Sequence, residues 1–188
     1  MAMLLSACAS SGGAGSVDRL GTAAPSVAVM TPVTPSGGSS NVGIAPSDGP
    51  EGAAARSALR TYQDWWQAQV EAFGRVDSDG SALEAYSSGQ ALSGVLVDLQ
   101  GLRAAKLVMI GGPRNSPVVK TLDLKANPQT AVVEDCLDVT GWHQADAGTH
   151  ATKDPVQRLS RYIATASLRK SEARWLIYDF KREVGRTC

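Results

Sequence analysis

The segment from Thr130 to Thr140, TAVVEDCLDVT, constrains the fold more than any other stretch, because its side chains sort by strict alternation. Ala131, Val133, Asp135, Leu137 and Val139 project to one side, and Val132, Glu134, Cys136 and Asp138 to the other. Each side begins aliphatic and ends acidic. This predicts a central strand of a sheet, well packed near its start and opening towards water, a partner or a pocket around Glu134, Asp135 and Asp138. Because Asp135 and Asp138 fall on opposite faces, they make a poor carboxylate pair for one substrate.

The chain ahead of this strand is helical in period. Between Ala53 and Phe73, the residues Leu59, Tyr62, Trp66, Val70 and Phe73 recur at spacings of three and four, with Trp65 on the flank and Gly74 as the stop. Asp77 or Asp79 is placed to cap a short helix containing Leu83 and Tyr86, with Asp79-Gly80 as the turn before it. Ser88 to Arg103 reads as a third helix, burying Leu92, Val95, Leu96, Leu99 and Leu102.

Strands follow. Lys106 to Ile110 is a short one, ended by Gly111-Gly112-Pro113, and Pro117 to Lys125 alternates and joins the organising strand in a hairpin across Asn127-Pro128. Trp142 to Asp154 is polar, carries both histidines and reads as a loop. Val156 to Leu168 reads as a long strand, with Arg174 to Val184 as its hairpin partner across Lys170 and Ser171. Trp175, Ile177 and Asp179 are expected to face opposite to Leu176, Tyr178 and Phe180. Three helices ahead of a mainly antiparallel sheet predict an α+β layer with the helices covering one sheet face.

The N-terminal part divides into residues 1–8 and 9–50, ahead of a folded domain over 51–188. Leu5-Ser6-Ala7-Cys8 resembles the lipobox of bacterial lipoproteins, in which the residue matching Cys8 is lipidated and becomes the mature N-terminus. Met1 to Ala7 lacks a charged start and the apolar core of about 7–15 residues that a signal peptide needs, so the expected translation start lies upstream. Ala9 to Pro50 is rich in Gly, Ser, Ala, Thr and Pro, with Asp18, Arg19 and Asp48 as its charges. Such a segment buries too little apolar area to offset the entropy of ordering and is expected to act as a disordered tether. The implied location is the extracytoplasmic face of the plasma membrane, reached through the lipid anchor.

Charge and motifs exclude several functions. Eighteen Lys and Arg balance eighteen Asp and Glu, which argues against a nonspecific grip on nucleic acid or anionic lipid. Acidic residues dominate between Thr121 and Asp154 and basic ones after Val156, a pattern that neighbouring antiparallel strands of complementary charge explain. Gly111-Gly112-Pro113 lacks the spacing of a phosphate loop, and no G-x-S-x-G elbow occurs. His143, Asp146 and His150 share one polar loop that could fold around zinc, although solvated histidines are the expected outcome. No cofactor is implied.

Taken together, YQDWW at Tyr62 to Trp66, VVEDCLD at Val132 to Asp138, the hairpin from Val156 to Phe180 and the closing Cys188 resemble the NTF2-like, or SnoaL-like, α+β cone superfamily. The narrower likeness is to secreted or lipid-anchored actinobacterial proteins. Ser171-Glu172-Ala173 replaces a glycine turn usual in those proteins before the last strand. The resemblance implies three helices on a sheet curled into a cone, a pocket at its mouth and, in some members, homodimers formed through the sheet. Tyr62, Trp65, Trp66, Tyr86, Tyr162 and Tyr178 are the candidate pocket residues, with core packing as the alternative for the helical aromatics. No catalytic set matches. The expectation is a noncatalytic binding or interaction domain for a small hydrophobic molecule or an envelope protein; the alternative is a cone-fold isomerase, dehydratase or cyclase using general acid–base chemistry.

If Cys8 is lipidated, Cys136 and Cys188 remain outside the cytoplasm, where an oxidised pair is stable. Gly185 to Thr187 would form an arm that carries Cys188 back over the sheet, so a Cys136–Cys188 disulfide is expected. Two reduced thiols are the alternative.

Overall fold

The computed structural model describes residues 48–76, 81–183 and 185–188. Cys8, the lipobox, the tether up to residue 47 and the caps expected at Asp77 and Asp79 lie outside the described residues. The elements are α1 (Gly49–Arg75), α2 (Ser81–Tyr86), α3 (Gly89–Ala105), β1 (Leu107–Gly111), β2 (Pro117–Asp123), β3 (Thr130–Asp138), β4 (Trp142–Asp146), β5 (Arg161–Ser171) and β6 (Arg174–Arg182).

Helix α1 starts earlier than its pattern suggests, because Pro50 occupies its first turn, where a missing N–H is harmless. It also runs past Gly74 and ends at Val76 in the left-handed conformation, whose N–H bonds the Ala72 carbonyl. Its buried stripe runs from Ala55 and Ala58 through Tyr62, Trp65, Trp66 and Gln69 to Ala72 and Phe73. That stripe meets the alternating inner residues of a four-stranded antiparallel sheet, ordered β2-β3-β5-β6. Val119, Val133, Leu137, Ala166, Leu168 and Ile177 are sealed beneath it. The organising strand β3 is central, flanked by β2 and β5, and its alternation holds from Ala131 to Val139. The architecture is α+β, with helices against antiparallel strands.

Three strand expectations need correction. Trp142 to Asp146 is a strand, not a loop: β4 pairs with β1 from Leu107↔Asp146 to Gly111↔Trp142. Its polar composition hid it because only Ala145 is sealed from solvent, while its other residues stay half-buried. Gly111 has φ +77, and a Cβ there would sit 2.0 Å from the Gly141 carbonyl oxygen, so the close of this ribbon requires glycine. β5 begins at Arg161, not Val156. Arg158 bonds Asp154 and the Val139 and Trp142 carbonyls, which holds residues 154–158 beside β4 and leaves Val156 fully exposed.

The third correction is at β6. The β5–β6 turn is Glu172-Ala173, with Glu172 at φ 53 taking the left-handed conformation where the resemblance has glycine. Ser167 then pairs with Asp179 and Leu168 with Ile177, which leaves Tyr178 as the extra residue of a bulge. Its ring covers Gly89, where a Cβ would lie 2.6 Å from it, and stacks under the Arg169 guanidinium at 3.7 Å. Past the bulge the alternation is reset. Phe180 and Arg182 thus share the inner face with Trp175 and Ile177, contrary to strict period two.

The chain end folds back across the outer face. Glu183 N–H donates to the Ile163 carbonyl and Ile163 N–H to the Arg186 carbonyl. Cys188 bonds Cys136 with Cα atoms 5.9 Å apart, closing a separation of 52 residues. Arg186 reaches Glu134 at 3.2 Å and Arg161 reaches Asp138 at 3.9 Å, so the uneven charge along the chain resolves into contacts between neighbouring segments.

Candidate functional site

Two polar sites arise from the inner face. The first is centred on Asp135, which β3 directs inward so that only 1% of it remains exposed. Tyr62 Oη–H donates to its Oδ2 at 2.9 Å, Asn115 Nδ2–H to the same oxygen at 2.9 Å and the Ser116 N–H to Oδ1 at 2.5 Å. Burial, and then the charge of Asp135, raise the Tyr62 pKa well above its ordinary 10.0, which keeps the phenol a donor. The expectation that the acidic end of β3 opens outward fails for Asp135, because the segment before β2 wraps it and saturates it with donors.

The second site lies where α1, α3, β4 and β6 meet. Clefts of about 410, 220 and 590 Å³ share Trp142 and Arg182. The 220 Å³ cleft is lined from α1 by Trp65, Trp66, Gln69 and Phe73, and from α3 by Val95 and Asp98. Its aromatic wall interlocks. Trp66 meets Trp142 edge to face at 5.8 Å and Phe180 at 5.6 Å, and Trp65 meets Phe180 at 5.1 Å. Tyr162 lines the cleft from β5, with the Arg182 guanidinium 4.3 Å over its ring. The bulge at Tyr178 makes this wall, since it turns Phe180 and Arg182 inward together.

Unlike the Asp135 cluster, this site carries buried donors without acceptors. Trp65 Nε1, Gln69 Nε2 and Trp142 Nε1 are sealed yet have no hydrogen-bond partner among the described residues. Trp66 Nε1 is also outside hydrogen-bond geometry, although its proximity to the Tyr62 oxygen lowers that phenol's pKa against the larger raising effects. We therefore count Trp65, Gln69 and Trp142 as the free donors. Leaving such a group unpaired costs about 1–3 kcal/mol, so three around one cleft is a strong departure from ordinary packing. Asp98 is the one carboxylate among the lining residues of the 220 Å³ cleft. Desolvation raises its pKa, and Arg182 pulls it partly back. Burial likewise raises Tyr162, opposed by Arg182.

Of the candidate pocket residues, Trp65, Trp66 and Tyr162 line the clefts. Tyr62 is committed to Asp135, Tyr178 to Gly89 and Arg169, and Tyr86 to the core packing of α2. The cysteines form the expected bridge. His143 sits on β4 opposite Ile110, with Nδ1 2.6 Å from Asp154, while Asp146 caps a turn through Gly148 and Thr149. His150 holds that turn at φ 58. Among the described residues no group of three or more His, Cys, Asp or Glu is placed to hold a metal ion.

Gln69, Asp98, Trp142, Phe180 and Arg182 escaped the sequence reading. Gln69 did carry a signal, being a polar residue on the buried stripe of α1 between Trp66 and Phe73. Trp142 was misplaced with its strand, and Phe180 and Arg182 depended on the bulge.

No family model and no curated protein matches the chain. Among solved structures it is similar to the intermembrane space region of the chloroplast protein ARC6, at 19% identity and a TM-score of 0.50, over 68% of this chain and 95% of that one. At that identity the likeness speaks to the fold alone.

Proposed function

We propose that the folded part is a noncatalytic binding domain of the NTF2-like cone type, tethered through Cys8 to the extracytoplasmic face of the plasma membrane, with its ligand site at the Trp142–Arg182 cleft. The observation that carries the binding reading is the cleft's aromatic wall set with unpaired buried donors. Concave, largely apolar space with a few convergent polar groups is the usual form of a small-molecule site.

A general base needs a carboxylate or imidazole within reach of substrate. Asp135 is enclosed by its three donors and lines none of the three clefts. His143 and Asp154 bond each other, and Arg158 takes the same Asp154 oxygen. The acid–base reading thus has no support beyond Asp98, whose guanidinium neighbour opposes its protonation.

The binding reading is tested by titrating the domain over residues 48–188 with 2-naphthalenemethanol while following tryptophan emission. Saturable one-to-one binding that Trp142→Ala weakens by about tenfold, the worth of one aromatic contact, is expected; absence of saturable binding contradicts it. The anchor is tested separately. Expression from the native upstream region should give a membrane-fraction protein whose intact mass carries lipid on Cys8, and Cys8→Ser should release a folded domain. Among the described residues no helix is long and apolar enough to cross a membrane.

A further inference from the structure

The cleft's polar groups are unevenly matched, and the imbalance specifies the ligand. Trp65 Nε1 and Trp142 Nε1 are donors only, since an indole N–H has no lone pair to offer. Gln69 Nε2 also presents hydrogens without an acceptor. Gln69 and Trp65 are only 5% and 1% exposed and all three N–H groups are closed even to a water molecule, so solvent does not satisfy them and a ligand's acceptor reaches them only as the side chains covering them move aside. Arg182 adds a guanidinium that lines all three clefts. On the acceptor side, Asp98 is the one carboxylate lining the 220 Å³ cleft, and its charged neighbour there is Arg182. Asp154, on the neighbouring cleft, is already taken by His143, Arg158 and the Gln144 N–H.

From this juxtaposition of ring edges, three unpaired N–H groups and one guanidinium, we infer that the cleft takes a small aromatic carboxylate. Its acceptor-only head satisfies the donors and its ring packs among Trp65, Trp66, Trp142 and Phe180. The inference rests on the binding reading above and narrows it. A carboxylate offers about four lone-pair directions and no hydrogens, which complements a site that has donors to spare. Hydrogen bonds to an ionised acceptor are about twice as strong as neutral ones. An alcohol offers fewer acceptor directions and must place a proton; an ammonium head adds three more donors to a site already short of acceptors. Asp98 acts against the ligand. Its carboxyl group lies on the same cleft as the proposed head and repels it when ionised.

The test uses three molecules of one shape: 2-naphthoate, 2-naphthalenemethanol and 2-naphthylmethylamine, titrated at pH 7 into the full chain by calorimetry. 2-Naphthoate is expected to bind about tenfold or more tighter than the alcohol, with the amine weakest. Arg182→Gln should bring naphthoate to within about threefold of the alcohol. Asp98→Asn should tighten naphthoate by about threefold or more relative to the alcohol. The ligand series needs no variant, so the inference stays exposed even if Arg182→Gln fails to fold. Equal binding of all three, or preference for the amine, overturns the carboxylate inference while sparing the cleft as a site. Binding by none of the three overturns both.

Discussion

Asp135 and Gln69 are both polar, both nearly removed from solvent and both carried on the layer between α1 and the sheet, but they differ in what surrounds them. Asp135 receives three donors at hydrogen-bond distance. Gln69 Nε2 is itself a donor and finds no acceptor among the described residues, and neither do the indole N–H groups of Trp65 and Trp142. A buried group that is fully paired holds the fold together. One that is buried and unpaired is tolerated at a cost in stability, and that cost is explained if the partner arrives from outside. Satisfaction, rather than burial, therefore separates the structural polar residues from those of the candidate site.

The first way to sharpen this comparison lies outside both clusters. The disulfide ties the C-terminal arm to the outer face of β3 and touches neither Asp135 nor the cleft. Closing a 52-residue separation constrains the unfolded chain by about 4 kcal/mol. Replacing both Cys136 and Cys188 by Ala should lower the urea-unfolding free energy by about that amount and leave 2-naphthoate affinity unchanged. A loss of affinity in the folded variant would mean that the outer face also shapes the cleft.

Next in size is the closed cluster. Asp135→Ala strands the buried Tyr62 hydroxyl and takes the acceptor from Asn115 and the Ser116 N–H, which lie nearer solvent, and should destabilise by about 2 kcal/mol. Gln69→Leu should do the opposite in every respect. Removing an unpaired donor in favour of an apolar group of similar shape is expected to change stability by about 0.5 kcal/mol or less, or to raise it, while weakening 2-naphthoate binding. If Gln69→Leu destabilised as Asp135→Ala does, the contrast between the two sites would collapse.

The two elements that carry the Asp135 cluster were legible in the sequence, but the cluster itself was not, and little of the cleft was. Strict alternation from Ala131 to Val139 put Asp135 on one side with Val133 and Leu137, and helical spacing gave the Tyr62 stripe, but period gives relative sides only, and Asn115 and Ser116 carried no signal. The cleft depended on three nonlocal choices. β4 pairs with β1 despite a polar sequence, Arg158 pins residues 154–158 to the Val139 and Trp142 carbonyls, and a bulge at Tyr178 resets the parity of Phe180 and Arg182. Only the last leaves a trace in the sequence, in Gly89, whose missing side chain leaves room for the Tyr178 ring. The two residues lie far apart in the chain, so spacing could not reveal the contact.

The smallest effects concern pH. Asp138 and Asp146 have pKa values below the ordinary 3.8, held down by hydrogen bonds from Thr140 and Thr149 respectively, and in Asp154 desolvation, the largest single influence, is outweighed by hydrogen bonds from His143, Gln144 and Arg158 together with the Arg158 charge, so its pKa is lowered too. Such groups stabilise the fold above pH 3.8 and lose that contribution as pH falls through their lower folded values. Asp98 has the opposite sign: its folded pKa is raised, mainly by desolvation, so its ionisation weakens the fold as pH rises past 3.8. Melting temperature should therefore fall below pH 3.8 in the native chain, and Asp98→Asn should raise it at pH 7 with little change at pH 3. A lower melting temperature for Asp98→Asn at pH 7 would place Asp98 among the satisfied groups.

The most direct test of the contrast between paired and unpaired donors is the indole N–H region of a 1H–15N spectrum, recorded while 2-naphthoate is added to the domain over residues 48–188. The chain has four tryptophans. Trp65 and Trp142 should move downfield together and saturate as their N–H groups gain an acceptor. Trp175, buried at the far end of β6 beside Lys170, should stay in place. Unmoved Trp65 and Trp142 resonances, or a shift of Trp175 equal to theirs, would contradict the assignment of these donors to a ligand site.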